Sequence, residues 1–221
     1  MLDRSRELLY ALVAVVFITI VYFLMLTLTR GIPAASSFYG HSMGILGFVL
    51  MLMTESLYTL RKRRKNARWG KMARWLEFHI FTGIVGPYLV LLHSSWKFNG
   101  LAGVVMLLTG VIVASGFIGR YIYTAVPRTS DGIELSLAEI EARITALDEQ
   151  ISHPSGSVLT ADEIQRLTRQ RGNLHRQAGR VVMMRSLLAL WHTVHIPIGM
   201  GLFALAFLHA GAAIYFATLL H

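Results

Sequence analysis

Five apolar stretches, each about 20 residues or longer, dominate this chain of 221 residues and restrict what it can fold into. A helix of about 20 apolar residues crosses the hydrocarbon core of a bilayer. The composition agrees, because 54% of the residues are hydrophobic, 15% are charged and the mean hydropathy is +0.54. We therefore predict an all-α membrane protein with five transmembrane helices. The stretches cover residues 8–28, 41–60, 75–95, 101–123 and 187–220.

The fifth stretch is longer than a bilayer requires, so we expect it to project from the membrane or to tilt, with a kink at Pro197. The orientation follows from the Lys and Arg residues. Eight of these 21 residues lie in the connection after the second stretch and nine lie between 120 and 185, whereas the two remaining connections have one each. Because cytoplasmic loops carry the excess of basic residues, we predict a cytoplasmic N-terminus and a C-terminus on the outer, periplasmic side. The third and fifth stretches are then parallel.

Several function classes are disfavoured by what the sequence contains. The net charge of +9 is explained by basic loops between apolar stretches, so we expect membrane lipid and no nucleic acid as a partner. The chain has no cysteine, which removes covalent c-type haem attachment and the usual Fe–S clusters. No G-x-G-x-x-G or P-loop string is present to indicate a dinucleotide or ATP site.

Two histidine pairs with the same spacing lie within the apolar stretches. His79 precedes His93 by fourteen residues, and His195 precedes His209 by fourteen. Fourteen residues rise about 21 Å along an α-helix and leave the two side chains about 40° apart, so each helix carries one imidazole toward each membrane surface. Because the two stretches are parallel, His79 is level with His195, and His93 with His209. This pattern suits two bis-histidine haem sites.

Small and basic residues near these histidines are further candidates. A small residue on the ligand face admits a flat macrocycle, although close helix packing uses small residues as well; these candidates are Gly83, Gly86 and Gly199. Haem propionates require cations near the membrane surfaces, which makes Lys97 a candidate for the outer haem and Arg120 for the inner one. Positive-inside flanking is the alternative explanation for Arg120.

Two other histidines leave alternatives open. His192 lies one turn before His195 and about 60° from its direction, so it competes with His195 as a ligand or serves as a polar residue at the headgroup level. His41 opens the second stretch at the predicted outer surface. It is a candidate for a quinol site or an ordinary interfacial residue.

Residues 130–185 interrupt the apolar pattern with a polar segment. Apolar side chains recur in it at intervals of three and four, with an interruption at Arg171, and Thr160 with Glu163 resembles a capping box. We predict an antiparallel helical hairpin in the cytoplasm, which is a docking arm, an oligomerisation element or a spacer that packs only on itself. The predicted division of the chain is helices 1–4 in 1–129, the hairpin in 130–185 and the fifth helix in 186–221.

The paired His-x13-His helices resemble those of the dihaem cytochrome b family, and their placement on the third and fifth helices is similar to the ferric-reductase-like transmembrane domain. The resemblance covers residues 75–123 and 187–212. The chain differs from these families in having no sixth span, no flavin or NADPH domain and no Pro-Glu-Trp-Tyr string. The resemblance implies a four-helix haem-binding bundle with two non-covalent b-type haems, ligated by His79, His93, His195 and His209.

Two histidine ligands leave no open position at an iron, which favours electron transfer over substrate chemistry. We therefore expect a cytochrome that conducts electrons across the membrane as a subunit of a redox complex linked to the quinone pool, with quinone as a possible second cofactor. We expect a redox partner subunit on the outer face, with a partner on the cytoplasmic face as second choice. One alternative is a self-contained quinol oxidase or ferric-reductase-like oxidoreductase. The other is a non-redox transporter or scaffold.

Overall fold

The computed structural model describes residues 6–63, 70, 72–125, 136–153 and 160–219. The secondary structure of these residues is α-helical, and no strand occurs among them, as predicted. Most of the basic connection (64–69 and 71), the first residues of the predicted hairpin and its turn (154–159) lie outside the described residues. The helices are α1 (Arg6–Thr29), α2 (Phe38–Arg63), α3 (Met72–His93), α4 (Gly100–Ala125), α5 (Leu137–Ser152) and α6 (Ala161–Leu219).

Five of these helices, α1 to α4 and α6, are long and apolar enough to cross a membrane. The exposed surfaces of these helices carry large apolar side chains, such as Phe17, which is 65% exposed, and Leu107, which is 67% exposed. Exposed apolar surface on this scale is typical of surfaces that contact lipid or another protein. By length and composition, the predicted number of membrane-spanning helices is confirmed.

The α3–α4 connection is a tight turn on the side predicted to be outer. Ser95 and Trp96 adopt left-handed backbone conformations, with φ of 48° and 62°, which ends α3 at His93. The Ser95 hydroxyl donates to the carbonyl oxygen of Pro33 at 2.7 Å, which ties this turn to the α1–α2 connection. Lys97 lies exposed in the same turn.

The chain divides into two compact units. The first comprises Met1–Gly116 with Pro197–His221, and the second comprises Phe117–Ile196. Helices α4 and α6 each contribute to both units, since the divisions fall inside these helices.

Helix α3 is the central helix of the first unit, since 33% of its apolar window is buried within the chain, against 11% for each of the other four. Val85 and Leu89 of α3 pack with Ala11 of α1, and the hydroxyl oxygens of Thr19 and Tyr88 lie 2.5 Å apart across the same pair of helices. A second apolar cluster joins α2, α4 and the last part of α6, and its buried members are Met51, Val105, Leu202 and Ala206.

The second unit contains the predicted hairpin, in which α5 runs antiparallel to the first part of α6. Ile140 and Val181 are almost fully buried in it, and Arg171 pairs with Asp148 at 2.8 Å. The polar interruption at Arg171 is thus an ion pair between the two helices. The capping box is confirmed: the backbone N–H of Thr160 donates to the Glu163 carboxylate at 2.8 Å, and the N–H of Glu163 donates to the Thr160 hydroxyl at 3.3 Å.

Helix α6 extends over 59 residues, so the second hairpin helix and the fifth span are one helix. The predicted limit between residues 185 and 186 lies inside it. Good helix formers such as Met183, Leu187 and Leu188 occupy this region, where neither glycine nor proline interrupts the helix. Pro197 is accommodated within the helix, and the division between the two units falls at this residue.

Replacing Ile140 with alanine is expected to destabilise the hairpin by about 2–5 kcal/mol, because it leaves a cavity at a side chain that is only 1% exposed. Thr160→Ala removes a cap on an exposed helix start and is expected to cost about 1 kcal/mol. Hydrogen exchange of the amides of α5 and of the first turns of α6 in the full chain measures both effects. Equal protection of these amides in the two variants would contradict the buried contact.

Candidate functional site

The pairing of α2 with α3 builds the site, and two glycines lie where the backbones of these antiparallel helices are in close contact. A Cβ atom at Gly47 would lie 2.8 Å from the carbonyl oxygen of Gly86, and one at Gly86 would lie 3.0 Å from the carbonyl oxygen of Gly47. Larger residues at these positions would therefore collide with the opposite backbone. We call this pair the glycine crossing.

Each histidine of α3 makes a hydrogen bond to the backbone of α2. Nδ1 of His79 lies 3.0 Å from the carbonyl oxygen of Thr54, and Nδ1 of His93 lies 2.8 Å from that of Gly40. Because a carbonyl oxygen can only accept, Nδ1 carries a proton, and in the neutral form of each ring the lone pair lies on Nε2. This is the arrangement of a metal-ligating histidine whose second ring nitrogen is fixed by a carbonyl.

The two hydrogen bonds are placed evenly about the glycine crossing. His79 and His93 lie seven residues on either side of Gly86, and Thr54 and Gly40 lie seven residues on either side of Gly47. Seven residues correspond to about two helical turns, or about 10 Å of helix. The spacing of the histidines on α3 is thus matched by the spacing of their acceptors on α2.

His79 lies among polar and aromatic side chains of α2 and α3. The ring of Tyr58 is centred 4.9 Å from the imidazole of His79. The Thr54 hydroxyl donates to the Thr82 hydroxyl at 2.7 Å, and Thr82, which is 1% exposed, also donates to the carbonyl oxygen of Phe78 at 2.8 Å. The residue whose carbonyl orients His79 is therefore itself bonded to α3.

His93 lies near two other histidines of the first unit. The ring of His41 is centred 6.4 Å from that of His93, and His209 of α6 is close enough to His93 for an electrostatic interaction. A Cβ atom at Gly44 would lie 2.8 Å from Cγ and Nδ1 of His93, so only glycine leaves room for this imidazole. His93 thus lies within electrostatic range of His209, the histidine expected to share the outer haem with it.

The predicted glycines contact neighbouring helices. A Cβ atom at Gly83 would lie 3.5 Å from the Thr54 side chain of α2, and one at Gly199 would lie 3.8 Å from Ile112 of α4. Gly86 belongs to the glycine crossing. Close helix packing therefore requires glycine at position 86, whereas a Cβ atom at Gly83 or Gly199 would make only ordinary van der Waals contact.

The remaining candidates, His192, His195 and Arg120, lie in the second unit. The Trp191 ring is centred 4.8 Å from that of His192 and 4.5 Å from that of His195, and it packs against Gly119, which leaves no room for a Cβ atom. Nδ1 of His192 donates to the carbonyl oxygen of Leu188 at 2.8 Å. His192 therefore has the same tautomer as the two histidines of α3.

These donors fit the group that the sequence implies. A bis-histidine haem iron requires two neutral imidazoles with an unprotonated Nε2, and each histidine of α3 has this form when neutral because its Nδ1 donates to a carbonyl. No group of three or more His, Cys, Asp or Glu side chains suited to a metal ion occurs among the described residues. A site with two protein ligands per iron does not need such a group.

The role of α2 was missed in the sequence, although Gly40, Gly47 and Thr54 recur at seven-residue intervals there. Such a repeat marks one face of a helix, but it does not reveal that backbone carbonyls are the functional groups.

No known protein family, no curated protein and no solved structure matches the chain.

Proposed function

We propose that the protein is a membrane-bound dihaem b-type cytochrome that conducts electrons across the membrane as a subunit of a redox complex. The observation that carries this proposal is the hydrogen bonding of the two histidines of α3, which lie fourteen residues apart. In each of them Nδ1 is bonded to a backbone carbonyl, which leaves Nε2 for a ligand. A transporter or scaffold requires no such repeated tautomer. Haem held by two histidines supplies reversible one-electron transfer.

In this proposal His93 and His209 bind the outer haem, and their proximity in the first unit supports the pairing. His79 and His195 bind the inner haem, and this pairing rests on the sequence spacing together with the parallel topology predicted from Lys and Arg. The carbonyls of Gly40 and Thr54 hold the α3 imidazoles in the tautomer that a haem iron requires.

Basic residues supply the counter-charges that haem propionates need. Lys97 is exposed in the α3–α4 turn, four residues after His93, so its flexible side chain is free to reach an anionic group near the outer surface. Arg120 has the corresponding role for the inner haem in this proposal. In this proposal Gly83 and Gly199 admit the flat macrocycle, and Gly86 sets the distance between α2 and α3.

The proposed topology has a cytoplasmic N-terminus and a periplasmic C-terminus. We propose a redox partner on the outer face and a quinone connection to the electron pathway, because the sequence shows no flavin, Fe–S or nucleotide motif that would feed the haems. The outer connections, such as residues 94–99, are too short to form a redox domain. A cytoplasmic partner near the basic connection after α2 is the second choice.

Electron conduction is tested in liposomes that contain the purified full chain and enclose ferricyanide, with dithionite added outside. We expect the enclosed ferricyanide to be reduced faster than in protein-free liposomes, and His93→Ala to abolish most of this gain because it removes a ligand of the outer haem. His153→Ala, which changes an exposed histidine of the hairpin, is the matched control. Equal rates with the wild-type chain and His93→Ala would contradict the proposal.

A further inference from the structure

We infer that the glycine crossing is a positioning element shared by both histidines of α3, so that one substitution at Gly47 disturbs both haem sites. The inference rests on the proposed function and deepens it, because it assigns control of two sites about 20 Å apart to one helix contact. Neither glycine touches either imidazole in this role. The glycines act through the distance between α2 and α3.

The space at the crossing is limited by backbone atoms as well as by side chains. A Cβ atom at Gly47 would lie 2.8 Å from the Gly86 carbonyl oxygen, 2.9 Å from Val90 Cγ2 and 3.0 Å from Leu89 Cβ. A Cβ atom at Gly86 would lie 2.9 Å from Met51 Cγ, 3.0 Å from the Gly47 carbonyl oxygen and 3.2 Å from the Met51 backbone nitrogen. A carbonyl in a helix cannot rotate away, so an added methyl group pushes the two helices apart.

The hydrogen bonds of both histidines depend on the same helix separation. They measure 3.0 Å and 2.8 Å, and an N–H···O bond weakens as its length passes about 3.2 Å. Because the two bonds lie at equal distances from the crossing, separation of the helices stretches both. A histidine that loses its carbonyl partner is free to move its proton to Nε2, the nitrogen that a haem iron requires unprotonated.

Two other positions, one in α2 and one in α3, contact the surroundings of a single histidine and provide a contrast. A methyl group at Gly44 would meet the ring of His93 and nothing near His79. Conversely, Thr82 bonds to Thr54, whose carbonyl orients His79 alone. Gly110 of α4 has no atom within 4 Å of an added Cβ and belongs to neither site, so Gly110→Ala is the matched control.

The test compares Gly47→Ala, Gly44→Ala, Thr82→Val and Gly110→Ala in the full-length chain. Affinity for each haem is followed by titration with haemin, and the two components are distinguished by their redox potentials. For Gly47→Ala we expect about a tenfold or greater loss of affinity at both sites, the scale of losses when a ligand's orienting partner is removed. Gly44→Ala should weaken only the outer haem, Thr82→Val only the inner haem, and Gly110→Ala neither. A Gly47→Ala chain with unchanged sites, or with one site changed, would overturn the inference.

A second measurement works without haem. Nitrogen-15 spectra of the imidazoles in the haem-free chain report the tautomers of His79 and His93, which are assigned with the corresponding alanine variants. Gly47→Ala should shift both rings away from the Nδ1-protonated form, and Gly110→Ala should shift neither.

If the wild-type chain takes up no haem, the proposed function fails, while these spectra still decide whether the glycine crossing positions both rings. If Gly47→Ala does not fold, Gly47→Ala/Val90→Ala removes one side-chain obstacle and should give the same two-ring effect, and two unchanged rings in that variant would overturn the inference.

Discussion

Replacing His93 with alanine is expected to remove one of two haems and to leave the other bound. His93 has no second histidine in its own helix turn that could take its place, and its Nδ1 is already committed to the Gly40 carbonyl. Because His209 lies within electrostatic range of His93, His209→Ala should remove the same component. Pyridine haemochrome assays should show haem content falling to half in both variants, and redox titration should show that the same component has vanished.

The reciprocal variants make this expectation specific. His79→Ala should remove the component that remains in His93→Ala, and His153→Ala should leave both components in place. If His79→Ala and His209→Ala instead share one lost component, α3 and the last part of α6 are not parallel in the membrane, and the predicted orientation is wrong.

The second large effect is expected at the inner haem, where His195→Ala should abolish binding and His192→Ala should leave the haem bound with a shifted potential. The fourteen-residue spacing to His209 favours His195, and the Trp191 ring, centred 4.5 Å away, confines its imidazole. His192 has a different feature in its favour, since its Nδ1 donates to the Leu188 carbonyl. Spectra and redox titrations of the two single variants compare them directly.

His192 and His195 are separated by one helical turn, so each variant serves as the control for the other. Loss of the inner component in His192→Ala, with retention in His195→Ala, would transfer the ligand role to His192. Three haem ligands, His79, His93 and His192, would then share a hydrogen bond from Nδ1 to a backbone carbonyl. The fourteen-residue spacing would not identify the ligands of α6.

The membrane helices could be predicted from the sequence because a bilayer imposes a simple requirement of length and apolarity. The start of α6 was also predictable, since a capping box depends on two residues three positions apart, Thr160 and Glu163. That α6 is a single continuous helix was harder to predict from the sequence. The change from polar to apolar composition near residue 186 marks a change of solvent, and a helix passes through such a boundary without a break.

The environment of the histidines could be predicted only in part. Their spacing is visible in the sequence, but the acceptors of His79 and His93 are backbone carbonyls, which every residue has. Gly86 was expected to make room for a macrocycle, whereas the structure shows it against Gly47. Which partner a small residue faces depends on the register of two helices, and a single sequence does not contain that register.

The central claim, that the chain binds two b-type haems, is tested most directly by the visible spectrum and haem content of the purified full-length protein. We predict a reduced-minus-oxidised spectrum with the bands of b-type haem, two haems per chain by pyridine haemochrome assay, and complete release by acid–acetone, since no cysteine is present for covalent attachment. A chain that takes up no haem, even when haemin is supplied, would contradict the claim, as would a stoichiometry of one or haem that resists extraction.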